Sequence, residues 1–389
     1  MPSSSPLLLT RRGLLGGATS LALAGSAGCL RQIGFERKSA WRDPPLASDR
    51  PDGVYIPAIT EGMKMYGQTT TGRYGVALMY SYPHRFWTLA GSNTQKTPVE
   101  SNDDIHLMAV LWDTQTNQPL PLDSGVTITI QRDGELITQE VAYPMISQQM
   151  GLHYGSNYSL RGEGNYTADI TIGGMSLRRT GSFANAFESV KTATIPFTFR
   201  TDEIYDISIG QPTDGGTSGA IDPVSMNDLP TGQAFPVSSI ANHHAGTLVV
   251  DDAHLEVFVI TDADTDTDAD TDTDADIERG PESKADSPYL VVSARTPYNN
   301  IILPMMQLEA TISQHDEVIT AKRLTRTLDP TLGYHYGTSI PALTHLSDPM
   351  SDKFTLEITT IIPPQIARHD GYETAFMNMD PVSLTFQIR

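Results

Sequence analysis

The sequence predicts an all-β protein made of two Ig-like antiparallel β-sandwich domains in tandem. Its apolar runs are short, and several alternate with period two, which places alternate side chains on opposite faces of a sheet. In addition, the pattern Gly-Xaa-His-Tyr-Gly occurs twice, with His153 and His335 lying 182 positions apart (335 − 153). A self-similarity of this length indicates two copies of one module.

The repeat extends beyond this pattern. At the same offset, Glu-Leu-Ile-Thr at 135–138 aligns without a gap with Glu-Val-Ile-Thr at 317–320. Turn signals such as Asp133-Gly134 separate the apolar runs. The predicted strands are 74–80, 105–112, 126–130, 166–172 and 195–199 in the first copy, and 247–250, 255–260, 289–293, 308–312, 354–359 and 382–386 in the second. We therefore expect a first domain at 53–202, a linker at 203–245 and a second domain at 246–389.

The N-terminus resembles a twin-arginine (Tat-type) lipoprotein signal. Arg11 and Arg12 precede a weakly apolar run that is too short to span a bilayer and that ends in small residues before Cys29. Residues 1–29 are therefore predicted to be a signal, Cys29 to carry the lipid, and 30–52 to be a tether. The expected location is the outer face of the cell membrane, and the alternative is a plain signal peptide with an incidental cysteine.

The composition excludes several classes of function. The formal net charge is −20, which disfavours nucleic acid as a partner and is typical of halophilic proteins. Cys29 is the only cysteine, so no intrachain disulfide can form. The chain has no nucleophile elbow, His-Glu-Xaa-Xaa-His motif or phosphate-binding glycine loop, so we expect no enzyme activity.

A tract of almost pure Thr, Asp and Ala begins at Thr261. Like charges at this density repel one another and cannot bury a core, so residues 261–285 are predicted to be a disordered loop. The tract lacks the glycines that turn a calcium-binding loop around its cation, which disfavours a specific calcium site.

The motifs around His153 resemble the bacterial periplasmic Fe(II) transport protein family. They are Asp-Ile-His-Leu at 104–107, Pro144-Met145, Gly-Leu-His-Tyr-Gly-Ser-Asn at 151–157 and Gly-Glu-Gly-Asn-Tyr at 162–166. The resemblance implies a haloarchaeal-type lipoprotein with a duplicated module. It also implies Ig-like sandwiches that dimerise, bind copper or another divalent metal, and support iron uptake beside a membrane permease.

The resemblance also implies a ligand set. Met145 and His153 match a methionine and a histidine of the family site, although one extra residue separates them here. His84 is the only plausible ligand where the family has an upstream acidic residue. The later histidine of the family falls within 174–182, which contains Arg178 and Arg179 but no histidine. These arginines would repel a cation, and could instead bind an anion or a carboxylate.

The second copy departs from the family differently. Residues 362–370 resemble the segment that delivers the later histidine, so His335 and His369 are expected to meet at one end of the second sandwich. Thr327 stands where the first copy has Met145, and Met305 and Met306 are nearby alternatives. Imidazole with thioether would favour copper, whereas imidazole with carboxylate would also accept Fe(II) or Zn(II).

The sequence therefore predicts an exported, membrane-anchored lipoprotein that binds iron or copper in support of metal uptake. The alternative is an envelope scaffold or adhesion protein that has lost the site. For His153, a ligand role and a structural role remain open, whereas His106 is expected to be a hydrogen-bonded core histidine. A homodimer or an intrachain pseudo-dimer is the expected assembly.

Overall fold

The computed structural model describes residues 44–226, 229–261, 287–345 and 352–388. Cys29, the signal and the tether up to residue 43 lie outside this range, as does the Asp/Thr tract from 262. All described residues belong to one compact unit that spans 42–389. Within the described residues, no helix has the length and apolar character needed to cross a membrane.

Most of the described chain is β-strand, so the all-β sandwich prediction is confirmed. The strands of the first half are β1 (Thr60–Glu61), β2 (Lys64–Thr71), β3 (Tyr74–Ser81), β4 (Phe86–Ala90), β5 (Asn93–Thr97), β6 (Ile105–Asp113), β7 (Val126–Arg132), β8 (Glu135–Ser147), β9 (Gly151–Tyr158), β10 (Gly164–Ile172), β11 (Arg178–Arg179) and β12 (Lys191–Phe199).

The second half follows a short helix, α1 (Thr201–Tyr205). Strand β13 (Ile209–Gly210) lies in the connection between the two halves. The strands of the second half are β14 (His244–Val250), β15 (Ala253–Ile260), β16 (Tyr289–Arg295), β17 (Gln307–Gln314), β18 (Glu317–Arg323), β19 (Thr325–Asp329), β20 (Gly333–Ser339), β21 (Phe354–Ile362), β22 (Ala367–Arg368) and β23 (Val382–Phe386). In the part of the chain that the structure describes, short 3-10 helices lie at Gly181–Phe183, Val237–His243 and Pro341–His345. The domain boundaries and the Ig-like assignment remain predictions.

Each half is a sandwich of two antiparallel layers. In the first half, β12, β10 and β7 form one layer, and β9, β6, β3 and β2 form the other. The long strand β8 belongs to both, because its first part pairs with β7 and its last residues pair with β9. In the second half this strand is divided into β18, which pairs with β17, and β19, which pairs with β20. The four layers enclose a buried apolar cluster to which both halves contribute.

The two Gly-Xaa-His-Tyr-Gly segments form the first five residues of β9 and of β20. The tyrosines anchor a neighbouring loop in the same way. The Tyr154 hydroxyl donates to Leu120 O at 2.7 Å, and the Tyr336 hydroxyl donates to Leu303 O at 2.7 Å. Each hydroxyl also accepts a backbone N–H from that loop, at 2.6 Å in the first half and 2.9 Å in the second. The tyrosine of the motif is therefore a structural residue in both copies.

The last glycine of each motif is required by a close approach. A Cβ at Gly155 would lie 2.8 Å from His106 Nε2, and one at Gly337 would lie 2.2 Å from the Tyr289 hydroxyl oxygen. His106 and Tyr289 occupy matching places, because His106 pairs with Asn157 as Tyr289 pairs with Ser339. The motif thus leaves room for one large polar side chain from the neighbouring strand.

In the second half this space holds Tyr289, whose hydroxyl is hydrogen-bonded to His335. Tyr289 Oη lies 3.2 Å from His335 Nε2, and His335 Nδ1 lies 3.1 Å from Gly333 O. A carbonyl only accepts, so Nδ1 carries the proton and Nε2 accepts from the hydroxyl. Burial raises the pKa of the Tyr289 hydroxyl, which therefore keeps its proton, and lowers the pKa of His335 to about 4.

Replacing Tyr336 with Phe should destabilise the protein by about 2–4 kcal/mol, because two buried backbone groups of the 303–306 loop lose their partner. Urea unfolding measures this loss. Tyr298→Phe is the control, because Tyr298 is 59% exposed and its replacement should change the free energy of unfolding by less than about 0.5 kcal/mol. Equal stability of the two variants would contradict the anchoring role.

The buried neutral His335 predicts acid sensitivity. The unfolded chain binds a proton near the ordinary pKa of 6.5, while the folded chain resists protonation down to about 4. Stability is therefore lost as pH falls through this window, by about 2 kcal/mol from this group at pH 5. Urea unfolding measures the free energy of unfolding at pH 7 and at pH 5. Between these two pH values His335→Gln should lose about 2 kcal/mol less of this free energy than wild type does. If the variant and wild type lost equal stability between pH 7 and pH 5, His335 would not be a source of the acid sensitivity.

Candidate metal centre

The candidate site lies on the outer face of a sheet layer, outside the sandwich core. Along β6, Ile105 and Leu107 point into the core, whereas His106 and Met108 point to the opposite face, because strand side chains alternate. This outer face is also buried: His106 is 0% exposed and Met108 is 3% exposed. A second layer of chain therefore covers a sheet face that would otherwise meet solvent.

Four histidines converge under this cover. The ring centroid of His84 lies 4.0 Å from that of His106 and 4.8 Å from that of His369. The ring of His153 lies 5.1 Å from that of His369. One ring nitrogen each from His84, His106 and His369 falls in a set whose members are all within 4.8 Å of one another. Such a set has the composition and spacing of a metal centre.

The four histidines come from both halves of the chain. His106 lies on β6 and His153 on β9, while His84 follows β3. His369 belongs to the second half and arrives through β22, which pairs in parallel with the end of β8, Ala367 opposite Met145. The backbone N–H of His369 extends this pairing by donating to Ile146 O at 3.2 Å. A two-residue strand thus carries the last histidine into the site.

The decisive feature is the set of Nε2 atoms. Those of His84, His106, His153 and His369 are all buried, and none has a hydrogen-bond partner among the residues that the structure describes. Buried polar atoms without a partner are costly and rare in native proteins. Four of them in one place indicate a ligand that binds nitrogen lone pairs.

Hydrogen bonds at Nδ1 determine the tautomer of three of these rings. His106 Nδ1 donates to Asn157 Oδ1 at 2.8 Å, and the amide is held because Asn157 Nδ2 donates to His84 O. His153 Nδ1 donates to Gly151 O at 3.0 Å, and His84 Nδ1 donates to Tyr82 O at 2.9 Å. Each partner atom only accepts, so each Nε2 is an unprotonated lone pair.

Burial keeps three of the four rings neutral. It lowers the pKa of His153 to about 4, and it lowers the pKa values of His106 and His369 well below the ordinary value, with neighbouring histidines adding to the effect. Neutral imidazole is the form that coordinates a metal. The site is therefore ready to accept a cation at neutral pH without first releasing protons from these rings.

A carboxylate and a thioether adjoin the imidazoles. Glu61 Oε2 lies 3.2 Å from His84 Nδ1, and this oxygen is buried without a hydrogen-bond partner in the described chain. Met145 is 0% exposed, stands opposite His153 in the β8–β9 pair, and packs on Phe86 and Ala367. Residues directly opposite one another on antiparallel strands share a face, so Met145 is on the same side as His153.

An ion pair joins the two loops that carry His84 and His369. Arg85 donates to both carboxylate oxygens of Asp370, through Nε at 3.2 Å and Nη2 at 2.7 Å. On the other side of His369, the fully buried Arg368 donates to Ala375 O and lies over the Phe376 ring. Burial lowers the pKa of Arg368 to about 10. The flanking residues thus hold both histidines in position.

The structure brings His84, His153 and His369 together but leaves His335 apart. The ring of His369 lies against His84, His106 and His153, whereas the ring of His335 lies against Tyr289. The expected pairing of His335 with His369 is therefore wrong. The physical reason is that β22 pairs with a strand of the first half, so its histidine completes the first copy.

Two residues of the site were missed by the sequence argument. His106 was expected to be a hydrogen-bonded core histidine, and its Nδ1 is indeed bonded. Its place on the outer face, however, leaves Nε2 facing the cluster. The sequence of β6 did not show this, because the strand is buried on both faces and its apolar run does not alternate. Glu61 lies on the two-residue strand β1, which carries no periodic pattern.

A matching but altered pocket exists in the second half. Arg178 and Arg179 of β11 pair in parallel with Thr327 and Leu328 of β19, as Ala367 and Arg368 pair with Met145 and Ile146. The backbone N–H of Thr180 then donates to Leu328 O, in the position of His369.

The polar side chains of this pocket are hydrogen-bonded to one another, so they do not offer free donor atoms to a metal. Thr180 Oγ1 donates to Asp329 Oδ2 at 2.6 Å, and the Arg178 guanidinium lies 5.5 Å from the centre of the Tyr289 ring. Thr327 stands opposite His335, as Met145 stands opposite His153. Of the four positions compared, only the histidine at 335 is retained, and its Nε2 already has a partner.

Comparison with known proteins gives a family match for part of the chain. The family described as a domain of unknown function, DUF7350, matches residues 238–385. No curated protein matches the chain.

Several solved structures are similar over about a third of the chain. FetP of uropathogenic Escherichia coli matches at 18% identity and a TM-score of 0.26, covering 35% of this chain and 95% of that one. A copper-bound variant of the same protein matches at 18% identity and a TM-score of 0.27, with 35% and 97% covered. A copper-bound variant of the P19 protein of Campylobacter jejuni matches at 17% identity and a TM-score of 0.28, with 36% and 98% covered.

Proposed function

We propose that this chain binds a transition-metal ion through His84, His106 and His369, with His153 and Glu61 beside them. The observation that carries the proposal is a cluster of four histidine rings whose buried Nε2 atoms all lack hydrogen-bond partners in the described chain. Three of these rings, those of His84, His106 and His369, each offer a nitrogen within 4.8 Å of the others. A bound cation would take up these lone pairs, which otherwise lie in a water-poor site at a cost of about 1–3 kcal/mol each.

The spacing suits a metal after a small contraction. Metal–nitrogen bonds of about 2.0–2.1 Å place two ligand nitrogens at most about 4.2 Å apart. The three nitrogens of His84, His106 and His369 lie within 4.8 Å of one another. Three nitrogens bound to one ion in trigonal or tetrahedral geometry lie only about 3.3–3.6 Å apart, so the widest separation must close by about 1.2–1.5 Å, or about 0.7 Å for each ring.

The donor types favour copper. Several imidazoles with one carboxylate bind most divalent first-row ions, and Cu(II) has the highest affinity in that series. Met145, on the same face as His153, adds a soft donor type that also favours copper. Fe(II) is the second candidate, because the carboxylate of Glu61 suits a harder ion.

In this proposal the protein is an exported lipoprotein that serves metal uptake and has no enzyme activity. The twin-arginine pattern at Arg11 and Arg12 and the following Cys29 support export and anchoring to the outer face of the membrane through a lipid. A metal permease in the same membrane is the proposed partner. The motifs around His153 support kinship with the periplasmic Fe(II) transport proteins, and the net charge of −20 together with the N-terminal pattern supports a haloarchaeal-type lipoprotein.

The two halves are proposed to be copies that form an internal pseudo-dimer. The reciprocal pairings support this: β22 of the second half joins β8 of the first, and β11 of the first half joins β19 of the second. In this arrangement each half supplies one edge segment to the pocket of the other. Only the pocket that receives His369 has kept a donor set.

Removing one ligand should weaken binding of Cu(II) at least about 100-fold, since even the loss of a residue that only orients a ligand costs 10- to 100-fold. Isothermal calorimetry of the full-length protein would test His106→Gln and His369→Gln, with a competing chelator to bring the affinities into range.

The matched control is His335→Gln. His335 has the same backbone contact at Nδ1 as His153 and is equally buried, but its Nε2 is bonded to Tyr289. Its replacement should change the affinity for Cu(II) less than about threefold. Absence of binding in wild type, or an equal loss in the control variant, would refute the proposed site and favour the scaffold or adhesion alternative.

A further inference from the structure

The outer sheet face that carries the histidines continues into a patch of methionines. On β6, Met108 follows His106 by two residues and so points to the same side. Met79 of the adjacent strand β3 stands directly opposite Met108. Both methionines are nearly fully buried, at 3% and 2% exposure. Imidazole donors are thus followed, along one face, by thioether donors.

The segments that cover this face also bring methionines. One cluster joins Met79, Met108 and Met150 with the partly buried Met63, Met65 and Met226. It holds six of the 14 methionines of the chain. Methionine is a flexible gap-filler in many cores, and a cluster that only fills space would leave no void beside it.

This cluster borders a void. A cavity of about 100 Å³ is lined by Met63, Met108 and Met150 on one side and by His84, His153 and His369 on the other. Glu61 also lines it. His153 is 1% exposed, and its unpartnered Nε2 is buried. Met63, Met108 and Met150 therefore line the same partly open pocket as the imidazoles.

Thioether sulfur is a neutral, soft donor that prefers monovalent copper or silver to hard divalent ions. Among the described residues, the acidic side chains that line this pocket are those of Glu61 and Asp370, and Asp370 is paired with Arg85. The carboxylate of Glu61 can therefore balance one positive charge. We propose that Met63, Met108 and Met150 form a second metal site, specific for Cu(I), beside the histidine cluster. This site is separate from the proposed Cu(II) centre and does not require it.

The test compares a triple variant, Met63→Leu with Met108→Leu and Met150→Leu, with the full-length wild type. Leucine has nearly the same volume as methionine and no donor atom, so the fold should be retained. The probe is Ag(I), a redox-inert substitute for Cu(I), titrated in competition with a chelator. We expect the affinity for Ag(I) to fall at least tenfold while the affinity for Cu(II) changes less than threefold.

Two further variants make the result specific. Met175→Leu with Met306→Leu and Met379→Leu replaces three buried methionines outside the cluster and should leave the affinity for Ag(I) unchanged. His106→Gln with His369→Gln should lose Cu(II) but retain at least part of the binding of Ag(I). If the first triple variant does not fold, the half-buried Met63→Leu alone replaces it, with an expected fall of at least threefold.

Methyl resonances of the methionines provide an independent readout. Addition of Ag(I) should shift the signals of Met63, Met108 and Met150, assigned from the single variants, and leave those of Met175, Met306 and Met379 in place. The proposal is overturned if the triple variant binds Ag(I) within threefold of wild type, or if these three signals do not move.

Discussion

The parallel pairing of two residues, Ala367 and Arg368, with Met145 and Ile146 is the contact on which the candidate centre depends. This pairing is short, but further contacts of Arg368 stabilise it. Arg368 also pairs with Trp87 of β4, and its buried guanidinium is bonded within its own loop. Without this insertion, the sheet of the first half would offer three imidazoles and an open edge. With it, a fourth ring closes over them.

The corresponding pockets of the two halves satisfy a buried histidine in different ways. Where a histidine lies buried on the outer sheet face, its Nε2 needs a partner. In the second half the Tyr289 hydroxyl supplies it for His335. In the first half His106 replaces that tyrosine and cannot supply a proton, because its Nδ1–H is already bonded to Asn157. In the pocket of the second half the Nε2 atom of His335 is therefore hydrogen-bonded within the protein. In the pocket of the first half the Nε2 lone pairs remain available for a ligand.

Much of the fold could be predicted from the sequence. Short apolar runs and period-two alternation correctly indicated the strands that were predicted, although strands such as β2 and β22 were not among them. The equal spacing of the two motifs matched His153 with His335. The partner of His369 could not be predicted, because periodicity assigns a residue to a strand and says nothing about which sheet edge a loop crosses. His106 was misjudged for a related reason. A strand that is buried on both faces has no exposed phase to distinguish an outward histidine from a core one.

The three histidines of the first half and His369 are far apart along the chain, and this separation has a consequence for the time course of synthesis. His153 is translated 216 residues before His369 (369 − 153). At about 5–20 residues per second, the interval is roughly 10–40 seconds. During that time the growing chain holds three imidazoles without the ring that closes over them. Complete coordination therefore begins only after the polypeptide is almost finished, and a bound ion would mark a chain whose two halves have already met.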